Sequence, residues 1–340
     1  MINFLVYVAI ILSIFAIGYL VRVFELVSSI TGNKPHEVTD KDNRLMSIFM
    51  LVFLVALFAF VMYTLKTYLP LMLPQSASEH GVTTDWLFNL NIALIFFVFT
   101  VTQILLFVFA YKYYGRKGNI ATFFTHSNKL EMVWTVIPAV VLAVIIIFGL
   151  RSWNKITAPA SKDAIVIQLY GKQFDWTARY AGKDNELGAS NYKLITDDNS
   201  LGMDPKDPKG LDDIIVRNEF HIPVGKEIEF KLNAREVIHS AFMPHFRAQM
   251  NCVPGMTTMM HFTPVITTAE MRKKPYVIQL MKGINELRAK RGEKPEEFNY
   301  TLLCNKICGV SHYNMQMTII VESLAEYHIW LHTQKPYFSK

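Results

Sequence analysis

The chain has 340 residues, 51% of them apolar, and a formal net charge of +6. That length allows one or two domains, and so large an apolar share excludes a disordered or an ordinary water-soluble chain. The charge is too mild and too evenly spread for a nucleic-acid partner.

The apolar residues are concentrated in four long runs, Ile2 to Phe24, Leu45 to Leu65, Leu87 to Ala110 and Met132 to Leu150. Each approaches the roughly 20 residues that a helix needs to cross hydrocarbon, and Arg22 is the one charge inside them. The first run lacks a basic start and a small-residue cleavage site, so it reads as a retained helix and not as a signal peptide. Arg22, Lys34, Lys41 and Arg44 follow the first run, and Lys112, Arg116, Lys117 and Lys129 follow the third, whereas the loop from Lys66 to Trp86 has Lys66 alone. Lysine and arginine collect on the cytoplasmic side of short loops. Both termini then face outward, and the half beyond Arg151 lies in the periplasm or an equivalent space.

That half carries runs with strand character: Ala164 to Tyr170, Phe174 to Tyr180, Glu227 to Leu232, Val237 to Met243 and Met317 to Val321. Rich in β-branched and aromatic residues with turn residues between, they predict a small antiparallel sandwich or barrel. Gly182 to Asp213 is dense in Asp, Asn, Gly and Pro and reads as a surface loop. Thr268 to Glu297 has helical composition, with Tyr276, Leu280, Ile284 and Leu287 on one face, and is expected to be an inserted helix. A last short helix is expected over Leu324 to His332. The basic cluster between Arg272 and Lys294 falls on the inserted helix and reads as a solvated face. No phosphate-binding glycine loop, nucleophile elbow or haem attachment motif is present, and no acid–base or nucleophilic constellation points to independent turnover, so no catalytic residue is assigned in this chain.

The chemistry lies in Leu303 to Met315, where Cys304, Cys308, His312 and Met315 fall within twelve positions. Thiolate, imidazole and thioether together favour copper, because a structural zinc site has no use for methionine. Single-copper electron-transfer sites use one cysteine; two on one tight loop can bridge a pair of metals. A pair of cysteines in an oxidising compartment also forms disulfides readily, and the ligand types that follow put the metal reading ahead. A further ligand is needed upstream, for which His239 is the best candidate, with His245 and His261 as competitors. Cys252 reads as a small buried apolar residue.

These residues resemble subunit II of cytochrome c oxidases, the family that carries a dinuclear CuA centre. Its loop, Cys-x-Glu-x-Cys-Gly-x-x-His-x-x-Met, is matched by Cys304, Cys308, Gly309, His312 and Met315, and its Asp-Val-x-His-Ser by Glu236 to Ser240. Pro244 and Pro254-Gly255 fall in step with later family positions. The resemblance implies His239, Cys304, Cys308, His312 and Met315 as side-chain copper ligands and the backbone carbonyl of Lys306 as another. Glu131, in Glu131 to Pro138, is similar to a family glutamate near the entrance of a proton path; it reads equally well as a carboxylate at a membrane boundary.

Three departures stand out. Lys306 replaces the loop glutamate and Asn251 the aspartate before Pro-Gly, which puts the family's magnesium at the subunit I interface in doubt, since an ammonium cannot ligate it. The family's Gln-Trp-x-Trp is Gln173-Phe174-Asp175-Trp176, so electron entry falls to Phe174, Trp176 or Tyr313. The resemblance runs from about Leu87 to the end, less the two insertions.

The expectation is therefore membrane α-helical hairpins followed by an all-β, cupredoxin-like sandwich with a helical insertion. The domains would be an extra N-terminal helix pair over 1–66, the family's hairpin over 85–151 and a periplasmic CuA domain over 160–340, with the insertion at 268–297. What the resemblance implies is an electron-transfer subunit of an oxidase in the bacterial inner membrane, whose complex reduces oxygen and pumps protons. Its partners would be the haem-bearing subunit I, subunit III, membrane lipid, and cytochrome c or a haem c domain of a neighbouring complex. Two other classes compete. A structural subunit of the quinol-oxidase kind would lack the copper ligands, and a copper-delivery protein would favour an exchangeable site over ligands split between a strand and a distant loop.

Overall fold

A computed structural model describes residues 2–30 and 38–339; Lys34, counted above in the first basic loop, lies outside them, as do the side chains of residues 2–7. Four helices carry the apolar runs: α1 (Ile2–Ile30), α2 (Asp40–Met72), α3 (Glu79–Lys112) and α4 (Asn128–Thr157). All four are long and apolar enough to cross a membrane. Their outward faces are apolar almost all round, as a lipid solvent requires, because only an internally satisfied backbone is tolerated there. Pro138 lies inside α4 and Pro70 near the end of α2.

The chain divides into two compact units, Met1–Pro70 with Leu94–Ser127, and Leu71–Ala93 with Asn128–Lys340. Within the first, aromatic pairs join α2 to α3, with ring centroids 5.4 Å apart for Phe53 and Phe107 and 6.0 Å for Phe58 and Phe99. Asp40 accepts from the Lys117 amide at 3.0 Å, and Asn43 donates to the Gly115 carbonyl at 3.1 Å.

The second unit holds two five-stranded sheets packed face to face. One has the order β3 (Ile214–Arg217), β2 (Asp175–Tyr180), β1 (Ile165–Lys172), β5 (Ile228–Ala234), β8 (Thr258–Phe262). The other runs β4 (Glu219–Pro223), β10 (Gln316–Glu322), β9 (Tyr300–Cys304), β6 (His239–Met243), β7 (Ala248–Cys252). The sandwich is mixed and not wholly antiparallel, because β1 lies parallel to β5 and β4 parallel to β10. Strands β5, β9 and β10 alternate buried and open residues along their length, the period-two signature of a sheet with one face in the core. Trp176, Phe220, Phe230, Phe246 and Tyr300, each at most 1% exposed, fill the space between the sheets.

Strands β3, β4, β7, β8 and β9 lie outside the predicted runs, and each is only four or five residues long. The inserted helix is two helices, α5 (Thr268–Arg272) and α6 (Pro275–Lys290), followed by extended chain. Pro275 lacks the N–H that a continuous helix would need there, and Thr267 with Glu270 forms a capping box that starts α5. The face of α6 turned to the core carries Val277 and Met281, while Tyr276, Leu280 and Leu287 are open. α7 (Leu324–Thr333) follows the last strand and is capped by Ser323 and Glu326.

The connection between α2 and α3 is woven into the sandwich. The Ala77 amide donates to the His245 carbonyl at 2.7 Å, the Val265 amide to the Ala77 carbonyl at 2.8 Å, and Ser78 Oγ to the Phe246 carbonyl at 2.6 Å. Arg247, itself in the left-handed region at φ +52°, clamps the same corner. It donates to both carboxylate oxygens of Asp85 at 2.6 and 3.1 Å and to the carbonyls of Pro74 and Pro244.

Candidate metal centre

Three neighbouring strands place the sulfur and imidazole groups. β6 begins at His239 and β9 ends at Cys304, and the two strands pair with Ala241 opposite Cys304. The chain leaves β9 into a loop that turns back at once: the Cys304 amide donates to the Met315 carbonyl at 3.0 Å, and the Asn305 amide to the Ser240 carbonyl at 3.0 Å. A short 3-10 turn over His312–Asn314 then swings His312 inward and delivers Met315 to the head of β10. Residues far apart in sequence therefore face one another across a single loop.

His239 Nδ1 lies 3.7 Å from Cys304 Sγ, and His312 Nδ1 lies 3.6 Å from Cys308 Sγ. The two sulfurs are 3.9 Å apart, Met315 Sδ is 3.8 Å from Cys308 Sγ, and the Lys306 carbonyl oxygen is 3.2 Å from Cys304 Sγ. The cysteines are free thiols and not a disulfide. His239 is fully buried, and Cys304, Cys308 and Met315 are 8, 5 and 1% exposed. Separations of 3.6 to 3.9 Å are too long for good hydrogen bonds. They match the roughly 3.3–3.8 Å expected between ligands that each sit 2.0–2.3 Å from a shared tetrahedral ion. His239, Cys304 and Cys308 form the one cluster of three or more such side chains gathered tightly enough for a metal among the described residues. Three sulfurs, two imidazoles and a carbonyl make a soft donor set that fits copper.

Burial pushes the Cys308 thiol up to about 11, with the neighbouring Cys304 sulfur adding to it, and burial holds His239 below the usual imidazole value. The neutral ring is the form that binds a metal. Burial likewise raises the Cys252 thiol to about 12; it lies on β7 opposite His239 as a small protonated side chain. The two competing histidines are elsewhere. His245 packs edge-on against Phe298 and Tyr300 at 5.2 and 5.3 Å, and His261 pairs with Glu227 at 2.6 Å.

The walls of the site come from residues that the ligand pattern does not name. Gln173 donates from its side chain to the Cys308 carbonyl, and Glu236 accepts from the Gln173 amide at 3.1 Å while approaching His239 Nε2 at 3.9 Å. Trp176 is fully buried and meets His239 edge to face at 6.0 Å. Gly171 lets both rings approach, since a Cβ there would stand 3.1 Å from each. A glycine inside a strand pattern is the sequence signal for such close packing. Phe174 lies half-buried against Gly309, whose φ is +145°, and Tyr313 is 87% exposed. Lys306 and Asn251 are both exposed, and among the described residues no carboxylate cluster stands beside them. Glu131 lies in the first turn of α4.

Two family models match the chain: cytochrome c oxidase subunit II, transmembrane domain, over residues 66–152, and cytochrome c oxidase subunit II, periplasmic domain, over residues 165–269. The second match ends where α5 begins. An alternative cytochrome c oxidase subunit 2 of Bradyrhizobium diazoefficiens is 30% identical over 263 residues, covering 77% of this chain and 83% of that protein. A cytochrome c oxidase subunit 2 of Cereibacter sphaeroides is 24% identical over 269 residues, covering 75% of this chain and 77% of that protein. Among solved structures, the periplasmic domain of subunit II of cytochrome oxidase from Bradyrhizobium japonicum aligns over 53% of this chain and all of that one, at 21% identity and a TM-score of 0.33. With membrane helices, a periplasmic β-sandwich and a buried sulfur–imidazole cluster in place, the chain belongs to the cytochrome c oxidase subunit II family, as a membrane-bound electron-transfer subunit of an oxidase.

Proposed function

We propose that His239, Cys304, Cys308, His312, Met315 and the Lys306 carbonyl hold a dinuclear CuA centre that receives electrons from a cytochrome c-type donor for the haem of subunit I. The observation that carries this reading is the convergence of all six donors within 3.2 to 3.9 Å of a neighbour. Copper held by these six donors would supply a one-electron carrier. The chain's own part is rigidity. The strand pairing of β6 with β9 fixes His239 against Cys304, Trp176 and Gly171 lock the imidazole, and Gln173 holds the loop from behind through the Cys308 carbonyl. The burial of His239, Cys304, Cys308 and Met315 limits how far solvent reorganises around the transferred charge.

Oxygen reduction and proton pumping belong to the assembled complex, with subunits I and III as neighbours in the lipid of a bacterial inner membrane. Both termini are outside, and Glu131 stands at the mouth of a proton path on the opposite side. Trp176 has no exposed surface, so electrons enter over Phe174 and Tyr313 at the rim of the loop. The extra helix pair over 1–66, the hairpin over 85–151 and the copper domain over 160–340 serve as separate anchoring and electron-transfer parts. Lys306 and Asn251 offer no carboxylate for magnesium at the two positions where the family has one, which argues against such a site.

Metal analysis with electron paramagnetic resonance tests the assignment. About two coppers per chain and a mixed-valence signal are expected, and Cys308→Ser should abolish that signal while the membrane helices stay folded. An unchanged signal in the variant would reject the ligand set.

A further inference from the structure

Across residues 160–339 the three most exposed large apolar side chains are Val310, Tyr313 and Ile307, at 90, 87 and 86%. All three sit on the loop that supplies Cys308 and His312. Isolated surface apolars are ordinary, but a cluster of this exposure on one functional loop marks a surface that is covered in use. The rest of the ligand set is closed off: His239 is backed by the buried Trp176, and Cys304 and Met315 lie inside the sandwich. The thin cover is the turn at Gly309 and Val310, where the absence of a side chain on Gly309 brings the Phe174 ring up beside the loop.

The charges framing this end are few. The segments 171–175, 235–238 and 305–314 hold Lys172, Arg235 and Lys306 against Asp175 and Glu236, and Glu236, although it accepts from the Gln173 amide, keeps 37% of its side chain exposed. The remaining rim is neutral and polar, with Gln173, Asn305, Ser311 and Asn314. Within these described segments the two carboxylates are outnumbered by three cations, so they form no acidic field to guide a lysine-rich partner, and the apolar centre with its polar rim has the anatomy of an interface core.

On the strength of the copper assignment above, we infer that the electron donor is a c-type haem domain that docks through apolar contact over Val310, Tyr313 and Phe174, without electrostatic steering. Its matching surface is an apolar haem edge whose rim carries no lysine excess. In the encounter the donor's ferrous haem becomes ferric, the metal centre gains that one electron, and no proton moves.

The test uses the assembled oxidase and a lysine-rich soluble cytochrome c as the probe. Its second-order rate should vary by less than about twofold between about 10 and about 300 mM salt, because steering by opposite charges is what makes association fall with ionic strength. Val310→Asp should make the rate salt-dependent with the same probe. Val310→Ser should raise KM about fivefold through lost apolar contact, with the copper signal unmoved. A rate in the unaltered enzyme that drops tenfold or more with salt, or a Val310→Ser enzyme with unaltered KM, overturns the inference. A small ruthenium photoreductant separates the two layers of the argument, since it delivers electrons without docking. If it reduces no copper centre, the ligand assignment fails; if it reduces the centre normally while the cytochrome is steered by charge, only the docking inference falls.

Discussion

Gly309→Ala isolates the copper loop from the rest of the fold. At φ +145° a residue with a Cβ is strained, at a cost of about 1–3 kcal/mol. The new methyl would also stand 2.8 Å from two atoms of the Phe174 ring and 2.9 Å from Gln173 Nε2. Relieving that overlap costs about another 1–3 kcal/mol in a packed site, and the hydrogen bond from Gln173 to the Cys308 carbonyl, worth about 1 kcal/mol, is disturbed with it. The sum, roughly 3–7 kcal/mol, falls on a loop bounded by two ligands, Cys308 and His312, and not on the sandwich core. Copper affinity should drop by at least about a hundredfold, read as copper retained per chain after dialysis against a chelator and as the mixed-valence signal. Gly255→Ala is the control, since its φ is +80° but no atom lies within 4 Å of the added Cβ. It should lose a little stability and no copper. A Gly309→Ala chain that keeps its full copper complement would show that the contact with Phe174 and Gln173 is slack and would refute the argument.

Arg247→Met removes the clamp that joins Pro74, Asp85 and Pro244, and with Asp85 a quarter exposed the loss should be roughly 2–4 kcal/mol; faster proteolysis in the 73–78 connection, with copper retained, is the expected readout, and unchanged protease resistance would count against it. His245 is held down to about 4 by burial and by Arg247, so the unfolded chain takes up a proton below about 6.5 that the folded chain refuses until about 4. Stability should therefore fall by roughly 3 kcal/mol as pH drops through that window, and His245→Phe, which suits the aromatic neighbours, should flatten the difference in melting temperature against pH; parallel curves for the two proteins would exclude it. Oxidase from cells grown on manganese should show no stoichiometric bound Mn(II) by electron paramagnetic resonance, because Lys306 cannot ligate it and Asn251 offers a neutral amide oxygen in place of a carboxylate, and a full equivalent of bound manganese would contradict this.

The ligand types and their spacing, Cys304 to Met315, are legible in the chain because a metal's demand for soft donors is a demand on residue identity, and the membrane helices are legible because hydrocarbon imposes a length and an apolar composition. Strands β1, β2, β5, β6 and β10 show through by their β-branched and aromatic content. The other five do not: four or five residues give too few periods, and β7 and β8 owe their conformation to pairing with strands already in place. The break at Pro275 was visible in principle, but composition alone made one helix of 268–297.

The match of Glu236 to Ser240 already favoured His239 over its competitors; what only the tertiary structure decided is what brings it to the sulfurs and holds it there. His239, His245 and His261 are equivalent as residue types, and the pairing of β6 with β9 separates them, bringing the first to Cys304 while aromatic packing takes the second and Glu227 the third. Trp176, Gly171, Gln173 and Glu236 enter the same way, since their roles are contacts between distant segments, fixed when two sheets close on a common core and not by any local pattern along the chain.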